Sequence, residues 1–281
     1  MGAVAERMLV AGVGLVGGSL ALAARRGGLV GEVVGWGRTA ENLEKARALG
    51  IVDRVERDLA RAARGADLVV LAVPVRAMPE VANCVGAAAG SGAVVTDVGS
   101  VKGSLVSQLE ERLGSRFVGG HPIAGTEKSG PGAARADLFE GKICVLTPTR
   151  RTSSEALEKV RALWEGVGAR VRLLDPEEHD RALAWTSHLP HLFAYALVSR
   201  CPAAYREFAG PSFGDATRVA SSAAEIWRDI FAANARFLAE AWESVVAEAE
   251  KFLGLADRGA VEELGAELER ARRKKSDATG T

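Results

Sequence analysis

From residue 8 to residue 175 the chain alternates short, β-rich apolar runs with stretches whose apolar residues recur at helical spacing. The apolar runs fall at 8–13, 32–36, 67–74, 93–98, 117–121, 142–148 and 170–174, and amphipathic stretches such as 41–49 and 155–167 separate most of them. This alternation predicts βα units on a parallel sheet. Runs as continuous as LVVLAV, ending at Val73, predict strands buried on both faces. Beyond Pro176 the β-type runs stop, and the stretches 177–200 and 222–254 carry helical periodicity. The expected architecture is therefore an α/β domain over 1–175 with a doubly wound sheet, followed by an all-helical domain over 176–281. The apolar face formed by Ile226, Ile230, Phe231, Phe237, Leu238, Trp242 and Val245 is wider than one thin helical layer needs, which predicts a homodimer through this region. The basic run 270–275 is expected to be a solvated, fraying tail.

Charge and cysteine content narrow the function classes. Lys plus Arg and Asp plus Glu are 36 each, so no net field draws the chain to nucleic acid or an acidic membrane. A small-molecule partner is expected instead. Cys84, Cys144 and Cys201 are too scattered for a disulfide framework or a metal-ligand spacing, which fits a reducing cytoplasm. Residues 1–8 are too short and polar for a signal peptide, and no apolar run approaches the roughly 20 residues of a membrane span.

The first run leads directly into Gly12-Val-Gly14-Leu-Val-Gly17-Gly18-Ser19, a GxGxxG pattern between a strand and a helix. In that context it is the fingerprint of a Rossmann dinucleotide site: Gly12 for the tight turn, Gly14 for approach of backbone to a pyrophosphate, Gly17 for packing of helix on strand. Leu15 and Val16 within the pattern, and Val73 and Pro74 at the end of the third run, complete the expected cofactor-binding set. About 20 residues on, where an NAD site usually carries an acidic residue, stands Gly37, followed by Arg38 and Thr39. With no carboxylate to repel it, a 2′-phosphate could pair with Arg38, which favours NADP while leaving NAD possible. Arg38 could equally lie over an adenine face or point to solvent.

Several polar residues fall where strands should end, near the crevice in which such sheets hold ligands. Ser100 follows the fourth run and is either a helix N-cap or part of a site. His121 ends the fifth run and is either a structural histidine or a general base. The glycine-rich loop 122–132 carries Thr126 and Glu127. In Ser187-His188-Leu-Pro190-His191 the two histidines can share a helix face if Pro190 is tolerated; a metal reading fails for want of a recognised zinc spacing with His179. Arg218, upstream of Trp227, either decorates the surface or captures a carboxylate.

The ordered set GVGLVGGS, DVGSVK, GGHPIAGTEKSG, LFEGKICVLTP, SHLPH and DATRVASSAAEIW resembles the prephenate/arogenate dehydrogenase family of tyrosine biosynthesis over residues 8–253. The resemblance implies oxidative decarboxylation of a cyclohexadienol with hydride transfer to a nicotinamide. It implies that His121 acts as base on the 4-hydroxyl, with Ser100 holding the geometry, Arg218 binding a carboxylate, and His191 meeting the side-chain end. His188 would support helix packing, Thr126 and Glu127 would help close the site, and Trp227 would back the pocket. Two features depart from the pattern or pull against each other. Gly214 stands where some relatives carry a basic residue, and His191 points to prephenate while Arg38 resembles relatives that prefer arogenate. No appended ligand-sensing or chorismate mutase domain is expected after the helical region. Other Rossmann-plus-helical oxidoreductases, such as 3-hydroxy-acid or imine reductases, lack the paired HPxAG and SHLPH signatures. A silent NADP-binding sensor would be expected to have lost Ser100, His121 or Arg218.

Overall fold

The structure, a computed structural model, describes residues 2–126 and 128–279. By packing, the chain divides into two compact units, 1–234 and 235–281. In the first, eight strands form one sheet: β1 (Ala5–Ala11), β2 (Val30–Trp36), β3 (Arg54–Val55), β4 (Leu68–Leu71), β5 (Val94–Asp97), β6 (Phe117–Pro122), β7 (Ile143–Thr147) and β8 (Arg170–Leu173). Their order is β3-β2-β1-β4-β5-β6-β7-β8. Adjacent side chains of one strand enter different cores, as the pleat requires. Val10 and Val70 pack with Leu20, Leu163 and Trp164, whereas Leu9 and Val69 pack with Met78, Leu109 and Phe117. The sheet is thus covered on both faces, and the continuous apolar runs are explained.

Two expectations need correction, and a third is borne out in more detail. The sheet is not parallel throughout, because β7 runs antiparallel to β6. A parallel return would need a crossover helix, whereas 123–142, rich in Gly, Pro and Ala, contains only a 3-10 turn at Pro131–Ala133 among its described residues. The stretch 222–254 is two helices, Ala224–Ala233 and Ala235–Asp257. At the break Asn234 leaves helical geometry, and its buried amide donates to the Asp180 carbonyl (2.7 Å) and meets His188 Nδ1 (2.9 Å). The run 270–275 is helical rather than an irregular tail: it lies in the helix Val261–Thr279, where Arg272 and Arg273 both pair with Glu269. Among the described residues every regular element beyond β8 is helical, and no helix is long and apolar enough to cross a membrane.

Residues 176–200 form one continuous helical run: Pro176–Leu183, a π turn at Ala184–His188, and Leu189–Arg200. The π turn explains how Pro190 is tolerated. Proline cannot donate to the preceding turn and its ring crowds the carbonyl four residues back; a widened turn there relieves the clash.

Asp180, on the first of these segments, fastens that helix to the sheet. Its Oδ1 accepts the Lys102 N–H (2.7 Å) and its Oδ2 the Gly103 N–H (2.8 Å). The helix Gly103–Leu113 has no side-chain cap of its own, so a residue 77 positions away in sequence supplies one. Asp180→Ala would strand both amides and the His179 ring N–H in a dry environment. Its free energy of unfolding in urea is expected to fall by roughly 3 kcal/mol or more; a loss under about 1 kcal/mol would contradict the capping role.

Candidate active site

The glycine loop sits where β1 passes into the helix Leu15–Arg26, beside β4, at the point where the connections leave the sheet in opposite directions. Gly12 has φ +109°, and a Cβ there would lie 2.3 Å from the Ala72 carbonyl oxygen. At Gly17 a Cβ would meet the Gly12 carbonyl oxygen at 2.2 Å. Gly14 differs, since a Cβ there meets nothing within 4 Å. It borders an open cavity of about 380 Å³ lined also by Leu15, Val16, Gly17, Val73 and Pro74. The first turn of the helix above carries no acidic residue, leaving its N–H groups and dipole free for an anion. This lining fits a dinucleotide. Arg38 and Thr39 do not border that cavity. They follow β2, whose Trp36 carbonyl receives the Gly12 N–H at 2.8 Å, so they sit beside the glycine loop. Arg38 is exposed, and Thr39 precedes the helix Ala40–Ala48 without capping it.

A second cavity, of about 680 Å³, is bordered by Ser100, His121, Thr126, His191, Arg218 and Trp227. Six positions scattered between residues 100 and 227 of the sequence thus share one space. Glu127 lies outside the described residues. Ser100 and Thr126 border both cavities, as do Lys128 and Ser129, so a ring held in the larger one would face a group held in the smaller one at this shared rim.

The strand ends explain the placement of Ser100 and His121. β5 and β6 are parallel neighbours, and Asp97 ends β5 with its carboxylate wholly buried. Its Oδ1 accepts the Gly120 N–H (3.0 Å), and its Oδ2 accepts the Gly99 N–H (2.8 Å) and the buried Lys102 ammonium (2.5 Å). One ion pair therefore ties the turn bearing Ser100 to the strand bearing His121. Ser100 is not the helix N-cap; Lys102 occupies that position, and Asp180 accepts the amides.

His121 is buried at the cavity wall, with Nδ1 2.8 Å from His179 Nε2. Burial first, then the charges of His179, Lys102 and His188, hold its pKa well below the ordinary histidine value. The ring is neutral at neutral pH, as a base must be. His191 is half-buried and its Nδ1–H donates to the Ser187 carbonyl (2.9 Å). Its ring stacks on Trp227 at 3.4 Å between centroids, and burial lowers its pKa. His188 does not border the cavity. It is buried against Asn234, with its pKa pushed down to about 4 mainly by burial. Arg218 is exposed at the head of a 3-10 turn. No group of side chains suited to a metal occurs among the described residues. The residues that the sequence did not single out are Asp97, Lys102, Asp180 and Asn234. Asp97 and Lys102 lie within the DVGSVK motif, which does not show that they pair, and Asp180 and Asn234 are buried polar groups with partners far away in sequence, which no local pattern marks.

A dinucleotide-binding sheet whose cavity opens onto a buried neutral histidine is the arrangement of a nicotinamide-dependent oxidoreductase, and the comparisons with known proteins agree. The profile described as prephenate dehydrogenase, nucleotide-binding domain matches residues 20–173, and that described as prephenate dehydrogenase, dimerization domain matches 175–270. The chain belongs to the prephenate dehydrogenase family. It is 39% identical over 240 residues to a cyclohexadienyl dehydrogenase of Zymomonas mobilis, covering 82% of this chain and 81% of that protein. It is 36% identical over 245 residues to a prephenate dehydrogenase of Bacillus subtilis, a match covering 82% of this chain but 64% of that longer protein. Among solved structures, the prephenate dehydrogenase of A. aeolicus in complex with hydroxyphenyl propionate and NAD+ superposes with a TM-score of 0.94 at 40% identity, covering 97% of this chain and 98% of that one.

The glycines give a test that separates binding from folding. Gly14→Val adds bulk where the structure has open space and an ordinary φ of −96°. Its melting temperature should stay near that of the parent, while its calorimetric Kd for the nicotinamide nucleotide rises at least about tenfold. Gly17→Val, built against backbone, should lower the melting temperature instead. Equal nucleotide affinity in Gly14→Val would remove this cavity as the cofactor site.

Proposed function

We propose that this protein is a prephenate dehydrogenase that converts prephenate to 4-hydroxyphenylpyruvate and carbon dioxide in tyrosine biosynthesis, with NADP as the preferred hydride acceptor. The observation that carries this reading is the single cavity bordered by Ser100, His121, His191, Arg218 and Trp227, which meets the nucleotide cavity at Ser100 and Thr126. The residues named in the glycine loop, with Val73 and Pro74, hold the nucleotide; Arg38 and Thr39 meet the adenosine ribose, where no carboxylate repels a 2′-phosphate. When bound, the nicotinamide accepts the hydride from the ring carbon that bears the 4-hydroxyl. His121 takes the hydroxyl proton as that carbon becomes a carbonyl, loss of the ring carboxylate as carbon dioxide makes the ring aromatic, and the proton returns to the phenolate oxygen. Ser100 hydrogen-bonds the same oxygen. Arg218 binds a carboxylate, and Trp227 holds the His191 ring in its plane beside the substrate side chain.

A second reading, with arogenate as substrate or both accepted, is favoured by one detail. The His191 Nδ1–H is already committed to Ser187, so the neutral ring offers Nε2 only as an acceptor, which suits an ammonium; the protonated ring would donate, which suits a keto acid. The similarity to a cyclohexadienyl dehydrogenase supports the same reading. The functional division of the chain falls near residue 175, where the two profiles meet, and the protein works as a homodimer in the cytoplasm.

Reduced-nicotinamide absorbance, with prephenate and arogenate crossed against NADP and NAD, tests this. The largest kcat/KM is expected with prephenate and NADP, and no turnover in any combination despite nucleotide binding would overturn the reaction. Arg38→Asp should lower kcat/KM with NADP at least about tenfold and spare NAD. His121→Asn should cut kcat by roughly 10² or more, whereas Arg218→Ala should mainly raise the KM for substrate. Because His121 is held well below the ordinary value of 6.5, the acidic limb of kcat/KM is expected below that pH. A limb at or above it would contradict the environment described for His121.

A further inference from the structure

His121 is one end of a buried chain of three groups. Its Nδ1 lies 2.8 Å from His179 Nε2, and the other nitrogen of that ring, His179 Nδ1, lies 2.8 Å from Asp180 Oδ1. His179 is wholly buried, and His121 and Asp180 are nearly so. The direction of every hydrogen follows from the far end. Asp180 already accepts the backbone N–H of Lys102 and of Gly103, so its carboxylate is an acceptor here and His179 must carry its proton on Nδ1. Burial holds His179 below the ordinary histidine value, and a neutral ring protonated on Nδ1 presents a bare lone pair at Nε2. Facing that lone pair at 2.8 Å, His121 Nδ1 must be a donor, because the opposite tautomer would set two lone pairs against each other. The proton of neutral His121 is then fixed on Nδ1, and its lone pair on Nε2, the nitrogen left for the cavity.

We infer that His179, anchored by Asp180, is a positioning residue that fixes the tautomer and ring orientation of His121, so that Nε2 receives the substrate proton. The inference rests on the reading of His121 as the base. His179 does not border the cavity, so it acts through His121 alone. A second constraint comes from the shared edge: the two rings meet at 62° with centroids 5.1 Å apart, so rotation of His121 breaks the contact with His179. When His121 takes the proton, its Nδ1–H becomes a charged donor to the same lone pair, which stabilises the imidazolium with no change in the protonation of His179 or Asp180.

The test uses the full chain in two variants of similar volume. His179→Leu removes the acceptor; His179→Gln keeps one, its side-chain carbonyl oxygen. His179→Leu is expected to lower kcat about 10- to 100-fold with the KM for prephenate within about twofold, and His179→Gln to recover most of that loss. Nitrogen-15 NMR of the histidine-labelled protein gives a readout independent of turnover. In the parent and in His179→Gln, His121 should show a protonated Nδ1 and an unprotonated Nε2, and in His179→Leu a mixture. An unchanged kcat in His179→Leu, or a parent enzyme with its His121 proton on Nε2, overturns the inference. Should His179→Leu fail to fold, the parent spectrum and His179→Gln still decide it. A parent inactive on both substrates yet carrying the Nδ1–H form would remove the proposed reaction and leave the positioning role supported.

Discussion

The carboxylate of Asp180 is the constraint on which the rest of this site depends. It takes two backbone amides from the first turn of the helix after β5 and one ring N–H from its neighbour His179, while its own carbonyl takes the amide of Asn234. Each of these donors is buried or partly buried, and none could be left unpaired without a cost of roughly 1–3 kcal/mol. This one residue thus fixes three things at once, the first two through its carboxylate and the last through its backbone carbonyl: the start of a sheet-covering helix, the ring next to His121, and the point where the helix Ala224–Ala233 ends. Because these bonds converge on one residue, the placement of His121 and the folding of the chain around it are the same problem.

The ion pair between Asp97 and Lys102 adjoins this anchor, since the Lys102 N–H is one of the amides that Asp180 accepts. Both side chains are without solvent contact, and such a pair costs desolvation that its attraction only partly returns. Stability alone is therefore a weak reason for its presence. Its geometry gives a better one. The Asp97 carboxylate bridges the Gly99 and Gly120 amides, so the turn before Ser100 and the residue before His121 cannot move independently. An apolar pair of equal volume could fill the space but could not hold these two backbone segments in register. The charge on Lys102 also helps keep His121 neutral.

Steric requirements were the most legible part of the sequence. Gly12 and Gly17 are forced by atoms within 2.3 Å of where a Cβ would lie, and a pattern that strict, set between a strand and a helix, announces a nucleotide loop. Ser100 and His121 could be assigned to strand ends because apolar runs stop there, and their meeting follows from the order of parallel strands. Other features left no local trace. His179 and Asp180 sit in PEEHDRAL, a segment whose charges look like an exposed helix face, and nothing in it signals that two of them are buried. The antiparallel turn-back of β7 depended on what 123–142 does not form, and the break at Asn234 interrupts an otherwise unbroken helical periodicity for the sake of a side-chain contact far back in the chain. At His179, Asp180 and Asn234 long-range pairing of polar groups overrode the local pattern.

The two histidines that face the cavity are held by opposite logic. On the proposed reading, His121 spends Nδ1–H on another histidine deep in the protein, in an environment that leaves it neutral and ready to accept a proton. His191 spends Nδ1–H on a carbonyl of its own helix, which the widened turn before Pro190 leaves within reach. It is half-buried and lies near Arg218, whose charge lowers its pKa further. On the same reading its remaining nitrogen is left to the substrate, an acceptor in the neutral ring and a donor once the ring is protonated. Chemistry at the ring hydroxyl requires a base of fixed character. Recognition of the side chain, where a keto group and an ammonium differ in the sense of the hydrogen bond they need, falls on that reading to the histidine that is only half-buried.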